Sequence, residues 1–307
     1  ACPKHFAVNS QELRRMASNS VLDERTLREL YLTAFEIVVK EAHPKSIMSA
    51  YNKVNDTYAN ENHHLLVDIL RKEWGFDGAV VTDWGGSNDH VEGVKNGSTL
   101  EMPSPGLGGA RKLLKAVAEG SLTEQEIDLR VDEMLDLVFS TNAAMEKAPR
   151  KFDEKAHHEL AQRAAAESIV LLKNEGGILP LKHSKKVTLI GDFALTPRYQ
   201  GAGSSMVNPT KVDSLKDAME AAELDMVGYC AGYERSGKPN KAYLDEAVSQ
   251  AKMADVVILC IGLDESSESE GLDRPHIGIP AVQKQLLDAV TAANPNVCLL
   301  YTSPSPR

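Results

Sequence analysis

From Asp23 onward, apolar residues recur at Leu27, Leu30, Tyr31, Ala34, Phe35, Val38 and Val39, a three-and-four spacing that gathers them on one face of a helix. Asp23 stands where an N-cap acceptor is wanted. The pattern then changes to a short apolar run at 46–51, too short for a helix and read as a strand, followed by a helical stretch at 65–74 and a second strand at 78–83. A further short strand is expected at 99–102, where Pro103 stops it. Helices follow near 109–119 and from 124 to about 145, the second opened by Thr123 and Glu126 as a capping box with Leu122 and Ile127 at the staple positions. Strands alternating with helical segments predict βα units and a parallel sheet.

Around Pro149 the pattern breaks at a proline among charged residues, as a linker does. A helix at 156–172 leads into a second alternating series, with strands at 187–190, 226–229, 256–261 and 297–300 and helices at 214–222, 243–252 and 281–293. Strands apolar without interruption are buried on both faces, so this half is expected to be a three-layer α/β domain. The expected organisation is a first domain over 1–148, a linker at 149–165, the layered domain over 166–300, and a tail at 301–307. Pro304 and Pro306 cannot continue a central strand, so the tail is treated as a non-native junction. At the other end the chain opens on Ala1, with Lys4-His5 already reading like part of a site, and a preceding segment is expected.

Composition narrows the function classes. Across 307 residues, 34 Lys and Arg stand against 44 Asp and Glu, a formal charge of −10, with no basic cluster suited to nucleic acid or an anionic membrane. The longest strongly apolar run, 256–263, falls well short of the roughly 20 residues that cross a bilayer. A soluble protein is expected. Cys2, Cys230, Cys260 and Cys298 have no C-x-x-C spacing and read as unpaired thiols, which favours a reducing, cytoplasmic compartment, with secretion left open by the front end. His63-His64 and His157-His158 fall in helical patterns, where neighbours point apart, so no metal site is expected.

Catalytic groups of a parallel barrel come from the C-terminal ends of strands. Asp83 follows Ala79-Val80-Val81-Thr82 directly, and Trp84 beside it offers a face of the kind on which sugar rings stack, although an Asp cap or turn former would give the same string. The wider context is more specific. Lys4-His5-Phe6-Ala7 with Asn9 and Gln11-Glu12, then Met48-Ser49-Ala50-Tyr51-Asn52, Thr82-Asp83-Trp84-Gly85, and Leu100-Glu101-Met102-Pro103 occur in the order seen in glycoside hydrolase family 3. The strings Ala166-Glu167-Ser168-Ile169-Val170-Leu171-Leu172-Lys173-Asn174 and Glu268-Ser269-Glu270-Gly271-Leu272-Asp273-Arg274 also resemble that family. The resemblance implies the C-terminal part of a (β/α)8-type barrel followed by an α/β sandwich, with a sugar bound between them and no cofactor.

By motif match it implies Asp83 as nucleophile, Trp84 packing beside the sugar, Lys4 and His5 hydrogen-bonding its hydroxyls, and Met48 and Tyr51 forming the wall of the subsite, Tyr51 also as a hydroxyl donor near Asp83. The acid/base is expected in the loop holding Asp264, Glu265, Glu268, Glu270 and Asp273; Glu270 matches best, with Glu268 as the other candidate. Crowded like charges there are expected to raise the pKa of one member, with Arg274 pairing to hold the loop. Gly201-Ala202-Gly203 lacks a third glycine, Met206 standing in its place, and is not read as a dinucleotide loop; Ser204 or Ser205 is expected to touch the sugar instead. The implied activity is that of a retaining exo-β-glycosidase acting on a small β-glycoside or oligosaccharide, foremost a β-glucosidase. The alternatives are a β-xylosidase, an arabinofuranosidase or a non-catalytic sugar-binding remnant. Early-barrel sugar contacts cannot be located, so the chain by itself is expected to turn over little. Oligomeric state is left open. Asp56, where the family commonly has glycine, and Ser98-Thr99, where an Asp often stands, depart from the pattern.

Overall fold

The computed structural model describes residues 1–148 and 151–301. The chain divides into two compact units, Ala1–Phe152 and Asp153–Arg307.

In the first unit, strands Ser46–Met48 and Ala79–Val81 pair in parallel, Ser46 opposite Ala79 and Met48 opposite Val81. Two further segments lie alongside: Phe6 bridges Ser49 and Leu100 bridges Val81, both in parallel. The expected strand at 99–102 is reduced to that single bridge. Side chains take over part of its ladder: Thr99 Oγ1 accepts the Val80 N–H at 3.0 Å and Thr82 Oγ1 accepts the Met102 N–H at 2.9 Å. The first helix begins where Asp23 caps it, accepting the Thr26 N–H at 2.8 Å, and runs as α over Glu24–Thr26, as π over Leu27–Leu32 and as α again over Thr33–Ala42. Its inner face, with Leu27, Leu32 and Val39, meets Phe6, Ile47, Leu65, Leu66, Ile69 and Val80 in one core. Each such side chain fully buried is worth about 1.5–3 kcal/mol. The Thr123 capping box forms with both of its bonds, and Leu122 beneath it is buried.

Arg71, on the helix His64–Glu73, pairs with Glu133 at 3.0 Å, and Arg130 reaches the same carboxylate at 2.7 Å. Thr99 donates to Glu133 at 2.5 Å, so the departure at Thr99 serves a half-buried ionic network. Asp56 has φ of 72°, the left-handed region that glycine tolerates best. Asp keeps the turn because Asn19 answers it twice: its Nδ2 donates to Asp56 Oδ1 and its Oδ1 accepts the Asp56 N–H.

In the second unit a four-stranded parallel sheet has the order Asp225–Cys230, Lys186–Ile190, Val256–Ile261, Val297–Tyr301. Val256–Ile261 is buried throughout. Val257, Leu259 and Ile261 pack with Ala247, Ala251, Leu286 and Val290 on one face; Ile258 and Cys260 pack with Val187, Leu189 and Met219 on the other. Three layers result. Tyr301 is the last residue of its strand, paired with Ile261, and 302–307 of the expected tail lie outside the described residues, as do Pro149 and Arg150 of the expected linker.

The helix expected over 156–172 spans Glu154–Ser168 with Asp153 as its cap, and Ile169, Val170, Leu171 and Leu172 beyond it are 71%, 72%, 62% and 72% exposed. It is tied to the 211–213 segment by Asp213, which accepts from Lys211 at 3.0 Å, Gln162 at 2.6 Å and His158 at 2.9 Å. These donors hold the Asp213 carboxyl at about 2, against an ordinary 3.8. The folded form therefore binds the proton less tightly than the unfolded chain, and the tie contributes stability above pH 3.8 that fades as pH falls toward about 2. Amide exchange in this helix should accelerate across that interval, and the Asp213→Asn variant should lose that pH dependence. Equal profiles for the two proteins would refute the tie.

Candidate active site

The strand ends of the first unit collect the residues singled out by sequence. Met48 donates its N–H to Pro3 O at 3.0 Å, Phe6 to Met48 O at 2.8 Å and Ala50 to Phe6 O at 2.8 Å, which lays residues 3–6 along Ser46–Met48 and brings His5 to the same edge as Asp83. His5 Nε2 lies 3.4 Å from Asp83 Oδ2, with their side chains 31% and 12% exposed. Asp83 Oδ1 accepts the Trp84 N–H at 2.7 Å while Oδ2 faces the imidazole, so the two oxygens have different neighbours. Trp84 is 62% exposed and presents its indole to solvent. Tyr51 is buried and its hydroxyl donates to Trp84 O at 2.9 Å, next to Asp83 in the chain. The turn after the strand is closed by the Gly86 N–H, which bonds Asp83 O at 2.9 Å. Met48 is half-buried on the neighbouring strand; Lys4 is exposed.

Several side chains that sequence reasoning left aside hold the loop after Asp83. Gly85 N–H bonds Met102 O at 2.7 Å, Asn60 Nδ2 bonds Gly86 O at 2.7 Å, and Glu61 Oε1 accepts the N–H groups of Asn88 and Asp89 at 2.9 and 2.6 Å. Burial pushes the Glu61 carboxyl up despite those donors. His90 Nδ1 sits 2.7 Å from Glu101 Oε2. Arg15 lies 4.8 Å from the centre of the Tyr51 ring and pairs with Glu12 at 2.9 Å. Glu101 and Glu12 stand inside the recognised motifs; Asn60, Glu61 and His90 carry no signal in spacing.

In the second unit the acidic loop leaves the strand Val256–Ile261 through Gly262, whose N–H and C=O are both bonded by the buried Gln283 amide, at 3.0 and 2.8 Å. The cation that organises the loop is Arg198, where sequence suggested Arg274. Arg198 donates to Leu263 O at 3.2 Å, to Glu268 O at 2.7 Å and to Glu268 Oε2 at 3.1 Å, and stands 4.0 Å from Glu265. Arg274 donates to Gly278 O at 3.4 Å. Burial alone would raise the Asp264 carboxyl, but the hydroxyl and N–H groups of Ser266 and Ser267 outweigh it and leave the group below its ordinary value. Glu270 sits on the 201–205 segment: its N–H donates to Ala202 O at 3.1 Å and its Oε2 accepts the Ser204 N–H at 2.5 Å. Ser204 and Ser205 are exposed. The glycines at 201 and 203 do not follow a strand directly, since a short 3-10 turn at Asp192–Ala194 and further irregular chain intervene.

The two clusters differ in what they offer. One presents a nearly buried carboxylate with an imidazole beside it and an open indole face; the other presents a carboxylate that accepts the Ser204 N–H. Residues 1–137 match the model of the glycosyl hydrolase family 3 N terminal domain, and residues 169–307 that of the glycosyl hydrolase family 3 C-terminal domain. The chain belongs to glycoside hydrolase family 3. It is 43% identical, over 100% of its length, to thermostable beta-glucosidase B of Acetivibrio thermocellus, and 42% identical, over 98%, to an exo-alpha-(1->6)-L-arabinopyranosidase of Bifidobacterium longum. It spans 41% of the length of each of these relatives. Among solved structures it is similar to the GH3 beta-glucosidase of Bifidobacterium adolescentis, with a TM-score of 0.91 and 42% identity over 97% of this chain and 44% of that one. The fold expected from sequence is thus the family fold, a barrel-like first domain and an α/β sandwich, and the parallel βα order of the first unit and the three layers of the second belong to it.

Proposed function

We propose that the protein acts as a retaining exo-β-glycosidase of family 3, with terminal β-glucosides as its substrates. The observation that carries this reading is Asp83, placed at the end of a parallel strand, with one oxygen fixed by the Trp84 N–H, the other beside His5, and an exposed indole next to it. A nucleophile needs that orientation: the carboxylate attacks the anomeric carbon, the bond to the leaving oxygen breaks, and a glycosyl ester forms on Asp83. Glu270 is assigned the proton donor of that step and the base that activates water in the second, which releases the sugar with its configuration retained. Glu268 is a poorer candidate, because Arg198 occupies its carboxylate. Lys4 and His5 supply donors to sugar hydroxyls, and Met48, Tyr51 and Trp84 the apolar wall; Ser204 and Ser205 lie on the Glu270 side. The names of the Acetivibrio and B. adolescentis relatives support glucosides, and that of the B. longum relative makes an L-arabinopyranoside the competing substrate.

The test is a chimera in which the Acetivibrio thermocellus enzyme supplies the barrel segment that precedes its match to this chain. Incubation with a 2-deoxy-2-fluoroglucoside bearing a good leaving group should add one fluoroglucosyl mass to the peptide containing Asp83. A chimera that folds and binds glucose but takes no label would favour a sugar-binding protein without catalysis.

A further inference from the structure

Glu270 is held by a backbone group that only one residue type at position 203 permits. Gly203 has φ of 106°, and a Cβ built there would fall 2.4 Å from Glu270 Cβ and 2.5 Å from its Oε2. Any side chain at 203 would both strain the backbone and occupy the place of the carboxylate. With glycine there, the Glu270 side chain lies against the 203–204 peptide and accepts the Ser204 N–H at 2.5 Å, while its own N–H reaches back to Ala202 O at 3.1 Å. The two bonds run in opposite directions and clip the acidic loop to the 201–205 segment at the residue assigned to proton transfer.

We propose that the Gly203–Ser204 peptide is the positioning group of the acid/base Glu270, and that Gly203 is a residue on which proton transfer depends without its touching substrate. This rests on the reading of Glu270 as acid/base. The N–H donor favours the ionised carboxylate, the form needed to take a proton from water in the second step. It also fixes the rotation of the carboxyl, so that the proton given up in the first step leaves from a defined oxygen. Acid/base catalysis of this kind is worth about 10²- to 10⁴-fold, and a misplaced group forfeits part of it.

The first measurement needs no activity and uses the chain as it stands. With glutamate labelled at its side-chain carboxyl carbon, the Glu270 resonance, assigned by its loss in Glu270→Gln, should titrate together with the Ser204 amide proton at one midpoint. In Glu270→Gln the Ser204 amide should lose that titration. In Gly203→Ala the Glu270 midpoint should rise by about one pH unit. Ser204→Ala, which keeps the backbone N–H, and Gly201→Ala, which has no such collision, should leave it unchanged. Should Gly203→Ala fail to fold, the shared midpoint of Ser204 and Glu270 in the unsubstituted chain still decides. A Ser204 amide indifferent to Glu270, or a Gly203→Ala midpoint that stays put, overturns the proposal.

The second measurement uses the chimera. Gly203→Ala should lower kcat/KM about 10- to 100-fold for aryl glucosides with poor leaving groups and much less for a dinitrophenyl leaving group, which needs no proton. The basic limb of the pH profile should move up, and azide should restore turnover while yielding the β-glucosyl azide. Equal losses on both leaving groups with an unmoved pH profile would mean a structural role only and would also overturn the proposal. If the unsubstituted chimera lacks glucosidase activity while the resonances behave as stated, the functional reading fails and the clip remains.

Discussion

Asp83→Asn in the chimera should reduce kcat/KM for aryl β-glucosides by on the order of 10⁴-fold, equivalent to about 5.5 kcal/mol of transition-state stabilisation. The substitution is nearly isosteric and is built to spare the fold. The Asn carbonyl still accepts the Trp84 N–H that Asp83 Oδ1 accepts at 2.7 Å. The other position becomes an amide 3.4 Å from His5 Nε2, a contact a neutral imidazole can satisfy as acceptor. Melting temperature should therefore change by only a few degrees while turnover collapses, since an amide cannot form the glycosyl ester. Asp83→Gly sharpens the test by vacating the position of the attacking oxygen. Azide admitted there attacks from the face opposite the leaving group, so the product should be α-glucosyl azide, the opposite anomer to the one expected when acid/base positioning is impaired. A folded Asp83→Asn protein within about tenfold of the parent would remove Asp83 from the mechanism and the double displacement with it.

What could be read from the sequence depended on how far apart the interacting residues lie in the chain. The cap at Asp23 and the capping box at Thr123 and Glu126 are bonds between residues three apart, and both form as the local string predicts. The uninterrupted apolar run at Val256–Ile261 announces burial on both faces because no polar position relieves it, and the strand is buried along its whole length. The strand expected at 99–102 is only a single bridge, Leu100 to Val81. Thr99 Oγ1 accepts the Val80 N–H and Thr82 Oγ1 accepts the Met102 N–H, and a pattern of apolar and polar residues cannot distinguish a Thr that faces solvent from one that substitutes for a ladder bond. Arg198 was invisible for a different reason. Its partners lie 65 and 70 residues away, so the nearer Arg274 looked the better match to the acidic loop, although it bonds Gly278. The same distance hides Gly203, whose need for glycine is set by the carboxylate that the next residue, Ser204, meets 66 positions further on. Family motifs supplied Asp83, His5 and Glu270 as candidates; the neighbours that orient those side chains became legible only in three dimensions.

Phe6 links the first motif to the core, and its truncation should be the most damaging single change to stability. It is fully buried and meets two rings edge-on, Phe35 at 5.2 Å and 75° and Trp74 at 5.9 Å and 66°. Phe6→Ala removes that contact and leaves a cavity between a strand and two helices, which should cost about 3–5 kcal/mol. Domains of this size hold only about 5–15 kcal/mol in total, so the first unit would be near its limit. Both tryptophans of the chain, Trp74 and Trp84, belong to the first unit, so the urea transition followed by tryptophan fluorescence reports on that unit without contribution from the second. The midpoint should fall with little change in slope, as expected when stability drops and the exposed surface on unfolding does not. Phe6→Leu, which keeps much of the volume, should lose less than half as much. A loss below about 1 kcal/mol for Phe6→Ala would mean that the site collapses around the gap and that the aromatic trio is not what fixes the 3–6 segment. The functional consequence follows from the backbone, because the N–H and C=O of Phe6 are the bonds that lay His5 beside Asp83, at 2.8 Å each to Met48 and Ala50. In the chimera at a temperature where Phe6→Ala remains folded, the reactivity of Asp83 toward the fluoroglucoside should fall together with the protection of the Phe6 and Ala50 amides from exchange.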